Sequence, residues 1–357
     1  MPQITLFKEK LHPASFAMTL ALGGLGGFLG SRLHLPLPML LGPLLVVAAA
    51  ALGGLRPFGQ PVQFPMKLRQ IFIPVVGVAI GATFTPEIGR EARHWWPSLA
   101  ALALFIPVAH FLSFRALRAT GLLDPVTAFF GAAPGGLIET VQMGEEMGGD
   151  VRMLTMLQFL RLITIIIAVP LFFTLITGHA VGSAGGASLS RALMRAQDLP
   201  WLIGAGVVGA LIGWRTRLPG GMITGPIVVS ALVHLSGLAQ GAPPGWLVGA
   251  TQMIIGTSLG VRFAGMELRH FWLALRLAGL STAVSIALAA ASAFALGPLV
   301  GEPPAAVFLA FAPGGLTEMS LIALSLNMSV VYVTAHHALR IFLAVAAARL
   351  MAPWFAK

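Results

Sequence analysis

The chain has 357 residues, of which 57% are hydrophobic and 10% are charged, and its mean hydropathy is +0.88. A soluble globular domain carries about 25% charged residues, so this composition excludes an ordinary water-exposed surface. The formal net charge is +10, but no Lys/Arg block interleaved with aromatic residues is present, which argues against a nucleic-acid partner. The absence of cysteine excludes thiolate nucleophiles and Cys-ligated metal sites.

Long uncharged stretches indicate where the chain meets lipid. The segments 99–112, 163–176 and 277–299 contain no Asp, Glu, Lys or Arg. Apolar segments of about 18 or more residues are typical of transmembrane helices. The sequence therefore predicts an all-α polytopic membrane protein whose main partner is the lipid bilayer. The N-terminal apolar run lacks a clear Ala-x-Ala cleavage site and is predicted to be a retained first span.

Each half of the chain is predicted to contain four apolar spans, a fifth element interrupted at Ala-Pro-Gly-Gly, and a last span. In the first half these segments are 15–33, 37–54, 66–84, 95–117, 125–146 (interrupted) and 151–176. In the second half they are 199–214, 221–238, 246–263, 271–296, 304–326 (interrupted) and 330–351.

Five collinear matches between the halves indicate an internal duplication. The paired segments are LPLPMLLGPLLV with LPGGMITGPIVV, GVAIGATF with GTSLGVRF, EARHWW with ELRHFW, APGGLIE with APGGLTE, and FLRLI with ALRIF. We therefore divide the chain into a first membrane repeat (1–177), a Gly/Ser-rich linker (178–198) and a second membrane repeat (199–357).

The distribution of basic residues bears on how the two repeats are oriented. Lys and Arg accumulate in cytoplasmic loops of membrane proteins. If both interrupted elements are re-entrant, the loops carry 15 Lys/Arg on the cytoplasmic side against 5 outside; if both cross the membrane, the count is 11 against 9. We therefore expect inverted repeats of about five transmembrane helices each, with both termini cytoplasmic and the linker Gly178 to Asp198 periplasmic.

The two interruptions are the main candidates for a functional site. They comprise Pro134, Gly135 and Gly136 in the first repeat, and Pro313, Gly314 and Gly315 in the second. A helix broken inside hydrocarbon leaves backbone groups that protein or water must satisfy. Transporters present such half-helix ends to solutes or ions at the bilayer midplane, whereas the structural alternative is a kink that lets helices pack closely.

Buried ionisable residues accompany each interruption. Glu139 and Glu318 follow the motifs, and the last spans carry Gln158 with Arg161, and His336 and His337 with Arg340. An Arg within a membrane span keeps its charge and needs a partner. The two Glu residues are the expected partners. One interpretation is a pair of structural Arg–Glu contacts that hold the bundle together.

The other interpretation is that these groups bind solute or carry protons. Because His titrates near neutral pH, His336 and His337 are the expected proton-linked groups, together with Glu318. Under this interpretation, Glu139, Glu318, Arg161 and Arg340 line one shared cavity where the two interruptions approach each other.

The duplicated APGGL-[IT]-E motif, the Gly-Pro spans and the Leu-Arg pairs resemble the bacterial AbrB-duplication membrane family over nearly the whole chain. Members of that family are labelled as AbrB-type regulators or as ammonia monooxygenases. An oxygenase needs clustered His or carboxylate ligands, which the sequence does not offer, so we expect no metal, no cofactor and no enzyme activity. A DNA-binding regulator would need a soluble domain, and no loop is long enough to form one.

The sequence thus predicts a secondary transporter or permease of the bacterial inner membrane that moves a small solute, with proton coupling left open. No Walker A motif is present. The first alternative is a membrane-embedded sensor or regulatory protein that affects gene expression indirectly. A metal-dependent membrane oxygenase is the disfavoured second alternative. A homo-oligomeric assembly remains open.

Overall fold

The computed structural model describes residues 4–6, 9–179, 181, 194–216 and 220–355. Most of these residues are helical, after a short N-terminal hairpin of strands β1 (Ile4–Leu6) and β2 (Glu9–Leu11). The first eight helices are α1 (Pro13–Arg32), α2 (Pro38–Leu52), α3 (Met66–Gly81), α4 (Ile88–Glu91), α5 (Trp96–Ala119), α6 (Pro125–Ala132), α7 (Leu137–Glu146) and α8 (Val151–Thr177). The others are α9 (Leu199–Arg215), α10 (Gly221–Leu235), α11 (Gly245–Gly260), α12 (Leu268–Val300), α13 (Pro304–Phe311), α14 (Leu316–Ser325) and α15 (Val330–Phe355).

Each predicted apolar segment corresponds to a helix, and both interrupted segments are indeed split, into α6 with α7 and α13 with α14. Among the described residues, six helices are long and apolar enough to cross a membrane: α1, α5, α8, α9 with the turn before it, α12 and α15. Helices α2, α3, α10 and α11 have only 15 or 16 residues. Helix length alone therefore does not determine how many times the chain crosses a membrane. The expectation of a helical membrane protein is confirmed at this level.

The helices around each interruption recur at a constant spacing. Helices α6 and α13 begin at Pro125 and Pro304, and helices α7 and α14 begin at Leu137 and Leu316, in both cases 179 residues apart. Proline is well tolerated at a first helical position because the missing N–H has no partner there anyway. The predicted repeat boundaries stay a prediction, and most of the linker, residues 180 and 182–193, lies outside the described residues.

The chain forms two compact units, and each takes segments from both sequence halves. The first unit comprises Met1–Thr85, Val169–Leu268 and Leu324–Asn327. Glycines allow its helices to approach closely: a Cβ added at Gly26 would lie 2.5 Å from the Gly42 carbonyl oxygen, so α1 and α2 touch through their backbones. Helices α9 and α10 meet in the same way where Gly209 faces Gly225.

Within this first unit, helices from opposite halves run in the same direction. Along α3, Gly77 faces Ile223 of α10, and Gly81, one turn later, faces Ser230. The Ser230 hydroxyl also donates to the Val78 carbonyl at 2.9 Å. The contacts of α11 with α2 follow the same pattern, since Gly256 approaches Leu40 and Gly260 approaches Val47. Both pairs, α3 with α10 and α2 with α11, are therefore parallel.

The second unit comprises Pro86–Ala168, Arg269–Ala323 and Met328–Lys357, and it contains both interruptions. Here α5 and α12 run antiparallel. Trp95, just before α5, has a side-chain hydrogen bond with Glu302, just after α12. Near the other end of α5, the Ser113 hydroxyl donates to the Ser281 carbonyl at 3.3 Å. Fully buried aromatic side chains, namely Phe129, Phe130, Phe311 and Tyr332, pack in the core of this unit.

Candidate functional site

The first interruption is a reversal of the chain. Helix α6 ends because Ala133, which precedes Pro134, adopts an extended conformation with φ −57° and ψ 126°. Gly136 has φ +67°, a left-handed conformation that suits glycine, and α7 begins at the next residue. Helix α7 then folds back along α6, because the amide of Asp150, beyond the end of α7, donates to the Thr127 hydroxyl at 2.9 Å.

The second interruption begins in the same way, although Gly315 does not have the left-handed φ of Gly136. Helix α13 ends at Phe311, and Ala312, which precedes Pro313, is extended with φ −59° and ψ 133°. Helix α14 begins after Gly315, whose carbonyl accepts from the Met319 amide at 3.0 Å. The equivalent bond in the first repeat runs from the Thr140 amide to the Gly136 carbonyl at 2.8 Å.

Side chains from α8 satisfy the carbonyl end of α6. The Gln158 amide donates to the Phe130 carbonyl at 2.6 Å, and Arg161 donates to the Ala133 carbonyl. On α5, His110 Nε2 donates to the Phe129 carbonyl at 2.8 Å. The guanidinium charge also lies where the negative end of the α6 dipole is concentrated. Gln158 and Arg161 thus stabilise the backbone at the interruption.

Helix α15 does the same for α13. His337 Nε2 donates to the Leu309 carbonyl at 2.8 Å, and Arg340 donates to the Ala312 and Gly314 carbonyls. His337 therefore occupies the position of Gln158, and Arg340 that of Arg161. Both Arg residues lie 10 residues after the first residue of their helix, which is about 15 Å along the helix axis.

These contacts correct one expectation from the sequence. The partners of Arg161 and Arg340 are backbone carbonyls, whereas we expected the carboxylates of Glu139 and Glu318. The two carboxylates lie at the third residue of α7 and α14, beside Gly136 and Gly315. A carboxylate is favourable there because the first turn of a helix carries free N–H groups and a positive dipole end. Glu318 is only 6% exposed.

Each interruption is therefore balanced in charge. A helix C-terminus faces an Arg, and a helix N-terminus faces a Glu, so the local charges sum to about zero. Several buried polar atoms at these positions nevertheless lack a hydrogen-bond partner within the part of the chain that the structure describes. They are His110 Nδ1, Gln158 Oε1, Arg161 Nε, His337 Nδ1 and Arg340 Nε. Buried atoms of this kind offer hydrogen bonds to a polar solute.

Helix α15 is in contact with both interruptions. Its Arg340 binds the carbonyls of the second interruption, as described above. One turn later, Ala344 and Val345 pack against the first: a Cβ added at Gly135 would lie 3.0 Å from Ala344 Cβ, and one at Gly136 would lie 2.6 Å from Val345 Cγ2. Arg161 and Arg340 also act on each other electrostatically. The predicted shared cavity itself stays a prediction.

His336 does not contact the carbonyls of the second interruption. Its Nδ1 donates to the Tyr332 carbonyl at 2.8 Å, and its Nε2 lies 2.9 Å from the Ser98 hydroxyl on α5. The sequence analysis missed Ser98, Tyr332 and the acidic residues near them, Glu91 and Glu302. One signal was available, since Tyr332 is the single tyrosine of the chain and lies in an apolar span.

The described residues contain no group of three or more His, Asp or Glu side chains placed to hold a metal ion. His336 and His337 are the seventh and eighth residues of α15 and follow Glu318 of α14 by 18 and 19 residues. The polar groups at the interruptions are donors and acceptors suited to hydrogen bonding.

The model of the family described as "Transition state regulatory protein AbrB" matches residues 51–356. The chain belongs to the AbrB family. This confirms the resemblance that the duplicated motifs indicated, and both motifs lie within the matched residues.

Two relatives match most of the chain. The Escherichia coli (strain K12) protein named "Putative regulator AbrB" is 25% identical over 326 residues, which is 88% of this chain and 88% of that protein. The Bacillus subtilis (strain 168) protein named "Uncharacterized protein YhjN" is 24% identical over 357 residues, or 92% of this chain and 89% of that protein.

Proposed function

We propose that this AbrB-family protein is a secondary transporter of the bacterial inner membrane that moves a small polar solute through the two Ala-Pro-Gly-Gly interruptions, with proton coupling. The proposal rests on one observation: the two interrupted helices end in equivalent clusters of buried polar side chains within the second unit. Arg161 and Arg340 are 6% and 3% exposed, yet each keeps a guanidinium Nε atom without a partner among the described residues. Such groups are costly in a membrane and are typical of a solute pathway.

Inverted repeats are part of this proposal, and the helix directions support them. Helices α5 and α12 occupy equivalent places in the two halves, and they run antiparallel in the second unit. In the first unit, α3 is parallel to α10 and α2 is parallel to α11. Successive spans alternate in direction, so two halves in the same orientation would make each of these first-unit pairs antiparallel.

A re-entrant first interruption is also supported. If α6 and α7 crossed the membrane together, Thr127 and Asp150 would lie on opposite faces, about 30 Å apart. Their hydrogen bond of 2.9 Å is expected of a helical hairpin that enters and leaves on one side. Inverted re-entrant elements would give one site access from either membrane face in turn.

The charge balance at each interruption supports proton coupling. In the absence of solute, each Arg is opposed by a helix C-terminus and each Glu by a helix N-terminus. Binding an anion would leave an excess negative charge unless a carboxylate such as Glu318 takes up a proton. We therefore assign Glu318 and His336 to the proton-linked role, and we assign His337 to holding the Leu309 carbonyl.

The second candidate function is that of a membrane-embedded sensor. It is favoured by the names of the family and of the E. coli relative, which describe regulators. A sensor with this fold would bind its ligand at the same interruptions but would not carry it across the membrane.

The test has two stages and uses the purified full-length protein. A screen of pooled metabolites for thermal stabilisation identifies a ligand, and the flux of that ligand is then measured in proteoliposomes with and without an inward proton gradient. We expect net uptake that the gradient drives, and we expect Glu318→Gln to remove the effect of the gradient. The matched control is Glu139→Gln in the first repeat. Binding without net uptake would contradict transport and support the sensor.

A further inference from the structure

A second polar cluster lies in the second unit, at the end where α5 begins and α12 ends. Glu302 belongs to the connection between α12 and α13 and is half-buried. Its carboxylate has a side-chain hydrogen bond with the Trp95 indole, and the carboxylate of Glu91 on α4 lies near enough to repel it. A carboxylate in this position is held by one donor and faces one like charge.

These surroundings favour the protonated form of Glu302. Burial raises the pKa of this carboxyl most, the Glu91 charge also raises it and the Trp95 hydrogen bond lowers it, and together they bring the pKa to about 7. Because the folded-state pKa lies above the ordinary value of 4.5, protonation of Glu302 favours the folded protein. That contribution is fully present below pH 4.5 and is lost as the pH rises through about 7.

Two hydroxyl groups, those of Tyr332 and Ser98, lie near one another beside His336. The Tyr332 ring packs against Trp95, with centroids 5.4 Å apart, and against His336, with centroids 4.1 Å apart. The Tyr332 side chain is fully buried, and its hydroxyl faces Ser98 and is influenced by the Glu302 charge. This hydroxyl has no hydrogen bond of normal geometry to any described residue.

The hydrogen bonds of His336 allow two proton arrangements. The Tyr332 carbonyl can only accept, so His336 Nδ1 carries a hydrogen in both. When the imidazole is neutral, Nε2 accepts the Ser98 hydroxyl proton at 2.9 Å. When the imidazole is charged, Nε2 donates to Ser98, and the Ser98 hydroxyl donates to the Trp95 carbonyl at 2.9 Å. The Ser98 hydroxyl proton therefore has an acceptor in both states: His336 Nε2 when the imidazole is neutral, and the Trp95 carbonyl when the imidazole is charged.

We propose that Glu302 is a proton-uptake site, and that Tyr332 and Ser98 pass the proton from Glu302 to the buried imidazole of His336. The Glu302 carboxylate takes a proton from water and gives it to the Tyr332 oxygen. The Tyr332 hydroxyl proton moves to Ser98, and the Ser98 proton moves to His336 Nε2, so each hydroxyl gives one proton and gains one. The role of this proton in solute movement rests on the proposed function.

The charged and titratable groups around this path come from several elements. Glu91 lies on α4, and Tyr332 and His336 lie on α15, where His336 acts electrostatically on the adjacent His337. Two neighbours change the pKa of Glu302: Glu91 raises it and Trp95 lowers it. Their replacement should move its titration in opposite directions, which a purely structural role would not produce.

The first test measures the protonation of Glu302 directly and does not depend on transport. Infrared spectra of the full-length protein in liposomes, recorded as a function of pH, follow the carboxylic C=O band. We expect one carboxyl to titrate near pH 7 and its band to be absent in Glu302→Gln. Glu91→Gln should shift the midpoint down, and Trp95→Phe should shift it up. The exposed Glu146→Gln should leave the band unchanged.

The second test measures the flux of the screened ligand in proteoliposomes. We expect Ser98→Ala and Tyr332→Phe to lose the response to the proton gradient while thermal stabilisation by the ligand is retained. If the Glu302 band is absent from the wild type, or persists in Glu302→Gln, the proton-uptake site is wrong even when transport is observed. If the band titrates as expected and the wild type shows no flux, the proposed function is wrong and the uptake site stands. Gradient-driven flux that is unchanged in both hydroxyl variants would overturn the relay.

Discussion

Replacement of Arg340 by methionine is expected to destabilise the second unit more than any other single change at the interruptions. The variant removes the donor of the buried Gly314 carbonyl, and it removes one of two donors of the Ala312 carbonyl, which keeps the Gly314 amide at 2.8 Å. Each buried carbonyl left unsatisfied costs about 1–3 kcal/mol. Arg161→Met should cost less, because Arg161 donates to the Ala133 carbonyl alone and Gln158 also lies 3.4 Å from that oxygen.

The measurement is thermal unfolding of the full-length variants in detergent. Arg276→Met is the matched control, since Arg276 lies on α12 of the same unit and is exposed. We expect the melting temperature to fall in the order Arg340→Met, then Arg161→Met, with Arg276→Met unchanged. An Arg340→Met variant as stable as the wild type would show that relief of the buried charge outweighs the lost hydrogen bonds.

The substitution Gly136→Ala is expected to have the second largest effect, for two separable reasons. Gly136 has φ +67°, which costs an L-residue about 1–2 kcal/mol. The new Cβ would also lie 2.6 Å from Val345 Cγ2 on α15. Because the core is closely packed, either the first interruption or α15 must shift, and a shift of α15 also moves the Arg340 contacts.

Two further variants separate these causes. Gly121→Ala has nearly the same conformation, with φ +68°, and no atom lies near its added Cβ, so it measures the conformational cost alone. Adding Val345→Ala to Gly136→Ala should recover the part due to the clash. If Gly121→Ala and Gly136→Ala lower the melting temperature equally, the contact between the first interruption and α15 is not tight.

Much of the fold could be predicted because a membrane restricts the secondary structure that a spanning segment can adopt. Helix α8 was expected at 151–176 and is Val151–Thr177, since uninterrupted apolar sequence in hydrocarbon has to be helical. Both helix breaks were predicted at their observed positions, because proline and two glycines cannot continue a helix there. These features are local, and local sequence is sufficient to predict them.

The partners of the buried groups could not be predicted in the same way. A sequence shows the charges of Arg340 and Glu318, so pairing them seemed natural, but a guanidinium can equally be satisfied by the carbonyl end of a broken helix. Those carbonyls belong to every residue and leave no signal in the sequence. The polar cluster was missed for a related reason, because Trp95, Glu302 and Tyr332 come from distant parts of the chain and become neighbours only in the folded second unit.

The central claim is that the two interruptions enter the protein from opposite faces of the membrane, which is what would let one site open to either side. The chain is free of cysteine, so single cysteines can be labelled in intact cells with a membrane-impermeant maleimide. Met147→Cys lies between α7 and α8 and is 40% exposed, and Gly301→Cys lies between α12 and α13 with no atom near its added Cβ. We expect position 301 to be labelled from outside and position 147 to be protected until the cells are permeabilised. Labelling of position 147 with protection of position 301 is the pattern of two crossing elements in parallel repeats, and it would contradict this account.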